Sequence, residues 1–233
     1  MTGKIFGVGV GPGDPDLITL KALKVLNKAD LIVYPAPADG TSLARSIAAE
    51  HFPIGCKELV IKTPMVSERF PAFEVYDKAS AKISDAVRDG KIVVVLCEGD
   101  PFFYGSFMHI HSRLKNKNKI EVVPGITGMS AAWTATNIPI TWGDDTLTII
   151  MATLVEEEII KRIKNSDAIL FMKIGSNYEK IRKILIDLSL FEKAFLIENA
   201  SMLNQNVKKL AEVPSKSLPY FSIIIVHGNG RRP

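Results

Sequence analysis

Alternation between two residue periods constrains the fold of this chain more than any other feature. Short runs rich in valine and isoleucine at residues 4–9, 31–34, 58–61, 92–96 and 121–123 are separated by segments of helical period at 17–28, 42–51, 72–89, 104–114 and 127–136. A short β-branched run forms a buried strand, and the longer segment after it forms a helix that covers the sheet, so this order specifies an α/β sheet. Asp89-Gly90 ends the third helix with a glycine in the position that favours a left-handed residue.

The rhythm changes after Pro139 and the polar turn Trp142-Gly143-Asp144-Asp145. Strands are expected at 147–151, 168–172 and 194–197, helices at 156–164 and 178–188, and a last, very apolar strand at 220–226. Residues 201–213 read as an extended arm or hairpin. This change divides the chain into two α/β domains, residues 1–140 and 141–233, with the boundary inside 137–146, and a chain of 233 residues can bury the core they need. No internal repeat, coiled coil or low-complexity tract competes with this organisation.

The glycine-rich segment Gly7-Val8-Gly9-Val10-Gly11-Pro12-Gly13-Asp14-Pro15 closes the first strand and runs beyond it. It is not a dinucleotide loop. In the order G-x-G-x-x-G the sixth position is Pro12 when counted from Gly7 and Asp14 when counted from Gly9; proline offers no N–H to a phosphate, and aspartate repels one. No G-x-x-x-x-G-K-S/T occurs either. Pro12 presets φ and Gly13 is expected at positive φ in a type II turn, with Asp14 capping the segment after it. Such a loop suits an adenosine ligand without phosphates.

Two further loops come directly after strands. The fourth strand runs into Glu98-Gly99-Asp100-Pro101-Phe102-Phe103-Tyr104-Gly105-Ser106, and the fifth into Pro124-Gly125-Ile126-Thr127-Gly128. Taken alone, each is a turn that starts a helix, with Asp100-Pro101 and Thr127 as the starting residues. Loops beyond the carboxyl ends of strands are where open α/β sheets bind ligands, and an acid beside aromatic rings suits ribose hydroxyls or a cationic sulfonium.

Composition narrows the remaining classes. Apolar residues make up 47% and charged residues 23%, as in a soluble globular protein, and the longest apolar runs fall far short of the roughly 20 residues of a membrane span. With no signal-peptide pattern before Lys4, a cytoplasmic location is expected. The net charge of +4 is spread out; the cluster Lys115-Asn116-Lys117-Asn118-Lys119 reads as a solvated loop, so no nucleic-acid partner is expected, while an anionic small substrate is allowed. Cys56 and Cys97 lack paired spacing, and His51, His109, His111 and His227 form no metal-ligand pattern, so no metal is expected. Glu156-Glu157-Glu158 suits the first turn of a helix. Binding loops without a catalytic triad fit an enzyme that positions two reactive ligands.

V-G-x-G-P-G-D-P, G-D-P-x-x-Y-G-S, P-G-I-T and a later E-N-A, in that order along the whole chain, resemble the tetrapyrrole methylases of cobalamin and sirohaem synthesis. Tyr34-Pro35-Ala36-Pro37, Glu98-Gly99-Asp100 and Leu218-Pro219-Tyr220-Phe221-Ser222 are similar to the branch that methylates a meso-bridge carbon of a precorrin; uroporphyrinogen methylases carry G-G-D in the middle motif. The resemblance implies two α/β domains, usually in a homodimer, with S-adenosylmethionine bound in the cleft between domains and S-adenosylhomocysteine as product. Carried over by motif, the cofactor-binding residues are Pro12, Gly99, Asp100, Phe103, Thr127 and Gly128, joined by Met172, Lys173, Ala200 and Pro219 from the C-terminal domain. At Met172-Lys173 the family often has Met-Gly. The resemblance implies a tetrapyrrole substrate, the metal-free form with the cobalt-containing form as the alternative, whose carboxylates need donors such as Arg45, Lys62 or Arg69. No residue announces itself as the base that removes the displaced proton; Tyr104, Glu98 and a substrate carboxylate are the candidates.

Overall fold

Ile5 and Val8 of the first strand are fully buried, which is possible only in a strand covered on both faces. The computed structural model describes residues 3–63, 70–215 and 217–228. In the first unit, Met1–Thr127, the strands are β1 (Lys4–Gly9), β2 (Leu31–Pro37), β3 (Lys57–Thr63), β4 (Ile92–Cys97) and β5 (Ile120–Val123). They form one parallel sheet in the order β3-β2-β4-β1-β5. Helices α1 (Leu20–Leu26) and α2 (Leu43–Ala48) cover one face, where Ala22, Leu26, Ala44 and Ile47 pack with Val8, Ile32, Val94 and Leu96. Helices α3 (Phe70–Arg88) and α4 (Phe107–Leu114) cover the other, where Ile83, Phe107 and Ile110 pack with Ile5, Val93, Val95 and Cys97. Alternate residues of β4 thus serve opposite cores.

The differences from the expected elements have local causes. The segment expected as one helix from residue 17 is broken: Asp14 caps a single 3-10 turn, Pro15–Leu17, and the chain restarts at Thr19, whose Oγ1 accepts the Ala22 N–H at 3.2 Å. Helix α4 begins three residues later than expected because Tyr104 has φ 53, a left-handed conformation no right-handed helix can pass through. Strand β2 runs beyond its expected end through Pro35 and Pro37. Its pairing with β4 stops at Val33/Val95 while that with β3 continues to Pro37/Thr63, so the prolines fall where one neighbour has already left the ladder.

The second unit, Gly128–Pro233, contains α5 (Gly128–Ala135), β6 (Leu147–Met151), α6 (Glu156–Lys164), β7 (Ala168–Met172), α7 (Tyr178–Asp187), β8 (Ala194–Glu198), β9 (Asn206–Lys209) and β10 (Ser222–Val226). Its sheet is mixed, ordered β6-β7-β10-β8-β9, with β6 and β7 parallel and β10 antiparallel to both its neighbours. Ile159, Ile163, Ile181 and Ile184 of α6 and α7 pack on one face with Phe171, Leu196 and Ile224. Helix α5 packs against β10, within the second unit. Residues 201–213 contain the hairpin strand β9, antiparallel to β8, and a 3-10 turn, Leu210–Glu212. Among the described residues no helix is long and apolar enough to cross a membrane.

Candidate functional site

The connection from β1 leads to α1 on one face of the first sheet, and that from β4 leads to α4 on the other. Because β1 and β4 are neighbours, their carboxyl ends form the topological switch point, where chain departs in opposite directions and a crevice opens. Three loops are stapled there. Val10 N–H donates to the Cys97 carbonyl at 3.0 Å, and Gly99 N–H donates to the Gly11 carbonyl at 2.8 Å, forming an isolated antiparallel bridge. An added Cβ on Gly9 would lie 2.5 Å from the Gly99 carbonyl oxygen and 2.6 Å from the Gly125 nitrogen, and one on Gly125 would strike the same Gly99 oxygen. The loops after β1, β4 and β5 therefore meet backbone against backbone, and only glycine fits at Gly9 and Gly125.

The positive φ expected at Gly13 is found instead at Gly11, with φ 84, and Pro12 is buried just beyond it. The reason is the Gly11–Gly99 bridge, which turns the chain two residues earlier than a Pro-Gly type II turn would. Asp14 does cap, its Oδ1 accepting the Asp16 N–H at 2.9 Å.

Asp100 is tied into the scaffold. Its Oδ1 accepts the Phe102 N–H at 2.9 Å and its Oδ2 accepts the Gly125 N–H at 3.1 Å, so one carboxylate fixes its own turn and joins it to the loop after β5. Phe103 is half-buried, with its ring edge-on to Tyr104 at a centroid distance of 4.8 Å. Phe102 and Tyr104 are exposed. Thr127 is the last residue of the first unit, next to this loop in sequence. Pro12, Gly99, Asp100 and Phe103 are thus gathered by the Gly11–Gly99 bridge and the Asp100 turn.

In the second unit the remaining residues collect at one end of the central strands of the mixed sheet. The β10 register pairs Ser222 with Glu198 and Ile224 with Phe171, which brings the end of β7, the end of β8 and the start of β10 together. Met172 is the last residue of β7 and Lys173 comes next, Ala200 lies just past β8, and Pro219 lies before β10. Asn199 N–H donates to the Phe221 carbonyl at 2.8 Å and fastens two of these segments. A Cβ on Gly128 would come 4.0 Å from the Ile223 side chain of β10, placing the start of α5 against the same strand. Lys173, Asn199 and Ser201 have φ of 56, 51 and 66. Three left-handed non-glycine residues at one end of the sheet are a feature that no composition or period signals.

The basic residues expected to face a substrate have other duties. Arg45 grips Glu58 with Nε at 2.7 Å and Nη2 at 3.0 Å from the two carboxylate oxygens, and Tyr34 Oη donates to the same carboxylate at 2.5 Å. The Arg45 hydrogen bonds hold the Glu58 carboxyl below the usual carboxylate range. Lys62 Nζ points back to the Pro37 and Gly40 carbonyls at 3.4 and 3.3 Å. The free donors expected at Arg45 and Lys62 are therefore not what the structure contains, because Glu58 of β3 engages Arg45 and the β2–α2 connection engages Lys62; Arg69 lies outside the described residues. His109 stacks on Tyr76 and His111 meets Phe102 edge-on, and the described residues hold no cluster of metal-ligating side chains. Of the two side-chain bases expected, Tyr104 is exposed, whereas Glu98 is half-buried and burial pushes its carboxyl up.

A five-stranded parallel sheet with glycine turns at its switch point, joined in one chain to a mixed α/β sheet, is the architecture of an α/β ligand-binding enzyme. Residues 4–214 match the model of the tetrapyrrole (corrin/porphyrin) methylases, and the chain belongs to that family. It is 36% identical to a precorrin-2 C(20)-methyltransferase of Sinorhizobium sp over 99% of this chain and 98% of that one. It is 28% identical to a cobalt-precorrin-2 C(20)-methyltransferase of Salmonella typhimurium over 97% of each chain. Among solved structures, uroporphyrin-III C-methyl transferase from Thermus thermophilus complexed with S-adenosylhomocysteine superposes with a TM-score of 0.68 at 20% identity, covering 95% of this chain and 96% of that one. That likeness concerns the fold.

Proposed function

We propose that this methylase transfers a methyl group from S-adenosylmethionine to carbon 20 of precorrin-2, giving precorrin-3A in cobalamin biosynthesis. The observation that carries the reading is the full-length likeness to the Sinorhizobium precorrin-2 enzyme. The loop geometry is compatible with it: a switch point built from Gly9, Gly11, Gly99 and Gly125 lets a ligand approach main chain closely, and Pro12 and Asp14 make a poor phosphate cradle. When bound, S-adenosylmethionine supplies an electrophilic methyl on a sulfonium. In this reading Pro12, Gly99, Asp100, Phe103 and Thr127 of the first unit hold the donor, as do Gly128, Met172, Lys173, Ala200 and Pro219 of the second.

The protein's task is alignment and exclusion of water, since the meso carbon is already made nucleophilic by its conjugated pyrroles; reacting atoms need to be held about 3–3.5 Å apart. The enzyme acts in this proposal as a cytoplasmic homodimer. The second substrate to consider is the cobalt-containing form, which the Salmonella relative brings into view.

Incubation with methyl-labelled S-adenosylmethionine and either precorrin-2 or its cobalt complex tests the proposal. Label in the metal-free tetrapyrrole is expected. Transfer only to the cobalt form would replace the substrate, and transfer to neither would remove the reaction. Light scattering on the purified protein tests the dimer.

A further inference from the structure

Large apolar side chains exposed on the first unit mostly stand singly: Leu20, Ile54 and Val60 belong to three separate segments. Phe102, Tyr104 and Met108 instead fall together, in the loop after β4 and the first turn of α4, with Phe102 and Tyr104 each 50% exposed. A cluster of this kind marks a binding surface where scattered exposure does not. The loop that carries it is the one whose Gly99 closes the switch point against Gly11.

These rings are exposed on a loop that is held still. Besides the two side-chain bonds of Asp100, its carbonyl accepts the Phe103 N–H at 3.2 Å. A Cβ on Gly105 would lie 2.5 Å from the Cys97 sulfur and 3.0 Å from the Asp100 and Pro101 carbonyl oxygens, so the loop closes tightly on the end of β4. Between those fixed points Tyr104 is kept at φ 53, a conformation that persists only where its surroundings enforce it. Phe102 lies edge-on to His111 at a centroid distance of 4.9 Å and 6.1 Å from Phe107, while Tyr104 lies edge-on to Phe103 at 4.8 Å. Rings fixed before a ligand arrives lose little freedom on binding, which suits a flat, rigid ligand.

The adjoining segment fixes the sign of that ligand's charge. From Phe102 to Lys119 the chain has four basic residues, Arg113, Lys115, Lys117 and Lys119, and no acidic one. Arg113 is paired with Asp77 of α3 at 2.5 Å. Burial, and then the Lys115 charge, hold the His111 imidazole below its ordinary value, so Phe102 leans on a neutral ring with a cation one turn further along. Aromatic faces near the switch point with positive charge beyond them complement a planar, conjugated polyanion.

We propose that Phe102 and Tyr104 form the platform on which the macrocycle of the methyl acceptor lies, with its carboxylates directed toward Lys115, a role that rests on the reaction proposed above. The two rings flank Phe103, a donor residue in that reading, so one short loop holds both reactants. Phe102 and Tyr104 are positioning residues: they form no bond in the reaction and take no proton, and their contribution is to hold the acceptor flat and in place.

The test combines Phe102→Leu with Tyr104→Leu in the full chain and titrates precorrin-2 and its cobalt complex anaerobically by fluorescence. The dissociation constant for the tetrapyrrole, and KM with it, is expected to rise about 10-fold or more, with kcat falling by less than KM rises. Affinity for S-adenosylmethionine by calorimetry and the thermal midpoint should stay those of the wild type, and Tyr104→Phe, which keeps the ring, should bind the tetrapyrrole as the wild type does. Lys115→Glu and added salt should each weaken tetrapyrrole binding and leave the donor's affinity alone. Each leucine change is also measured singly, so that unfolding of the double variant does not decide the matter. Unchanged tetrapyrrole affinity, an equal loss for S-adenosylmethionine, or a dimer that dissociates in light scattering overturns the platform, the last by making this surface a subunit contact, and leaves the methyl transfer standing. A wild-type protein that binds neither tetrapyrrole removes the reaction, and the platform with it.

Discussion

A carboxylate that accepts main-chain N–H groups from two turns is part of the scaffold before it is part of any binding surface, and Asp100 is such a residue. Asp100→Ala should lower stability by about 1–3 kcal/mol, chiefly the cost of leaving the part-buried Gly125 N–H unpaired, and weaken cofactor binding by a similar amount. Urea unfolding and calorimetry on the same preparation read both. An unchanged unfolding midpoint with lost affinity would instead make Asp100 a direct ligand contact. Gly9→Ala is expected to be worse, because its methyl group would meet backbone from two other loops and backbone cannot step aside; a loss of at least about 1–3 kcal/mol should appear in the same unfolding assay. At Lys173, with φ 56, glycine removes the left-handed penalty at the cost of a more flexible unfolded chain. Lys173→Gly should therefore change stability by less than about 1 kcal/mol, with any change stabilising, while Lys173→Val should lower the melting temperature. These conformations were not legible in sequence. The motif marks Gly7 to Gly13 as a turn, but which glycine turns depends on Gly99, a residue far along the chain.

Among elements, β5 is held to β1 and α1 by Glu121, which takes Lys4 Nζ at 2.6 Å and Lys21 Nζ at 2.8 Å. Hydrogen bonds from Lys21 and then Lys4 pull its carboxyl down to about 2. A carboxyl depressed in the folded state stabilises above its unfolded pKa, about 4.3, and that contribution is lost as pH falls through the folded value. Acid unfolding should thus include a component between those limits that Glu121→Gln removes. Because the group is exposed, high salt should shrink the same component. Element type was well marked in the sequence: β1, β6 and β7 occupy the expected residues, and α6 begins with its three glutamates as expected. Boundaries failed where a single residue overrode the pattern, at Tyr104 before α4 and at Thr19 before α1. The parting of β2 from β4 could not be read either, since the prolines 35 and 37 argued for an ended strand while the β3 partner kept it going.

For the whole molecule, the proposed donor predicts linkage. A ligand that binds only the folded chain at 100 times its dissociation constant stabilises by about 2.7 kcal/mol, which for a protein of this size shifts the melting temperature upward by roughly 5–10 °C. S-adenosylmethionine should produce that shift, and NADH at equal concentration should not; a shift with NADH alone would restore the dinucleotide reading that Pro12 argues against. The sequence by itself determined the class of the fold, the order of its elements and the family, because period, turn residues and motif order are local properties carried by neighbouring residues. It also marked the opening glycine segment as unfit for a pyrophosphate. Tertiary structure alone decided that Gly11 turns, that Asp100 braces two loops and that Arg45 serves Glu58. Each of those outcomes depends on which distant backbone or charge arrives within about 3 Å, and hydrogen bonds and ion pairs decay too steeply with distance for a one-dimensional pattern to specify them.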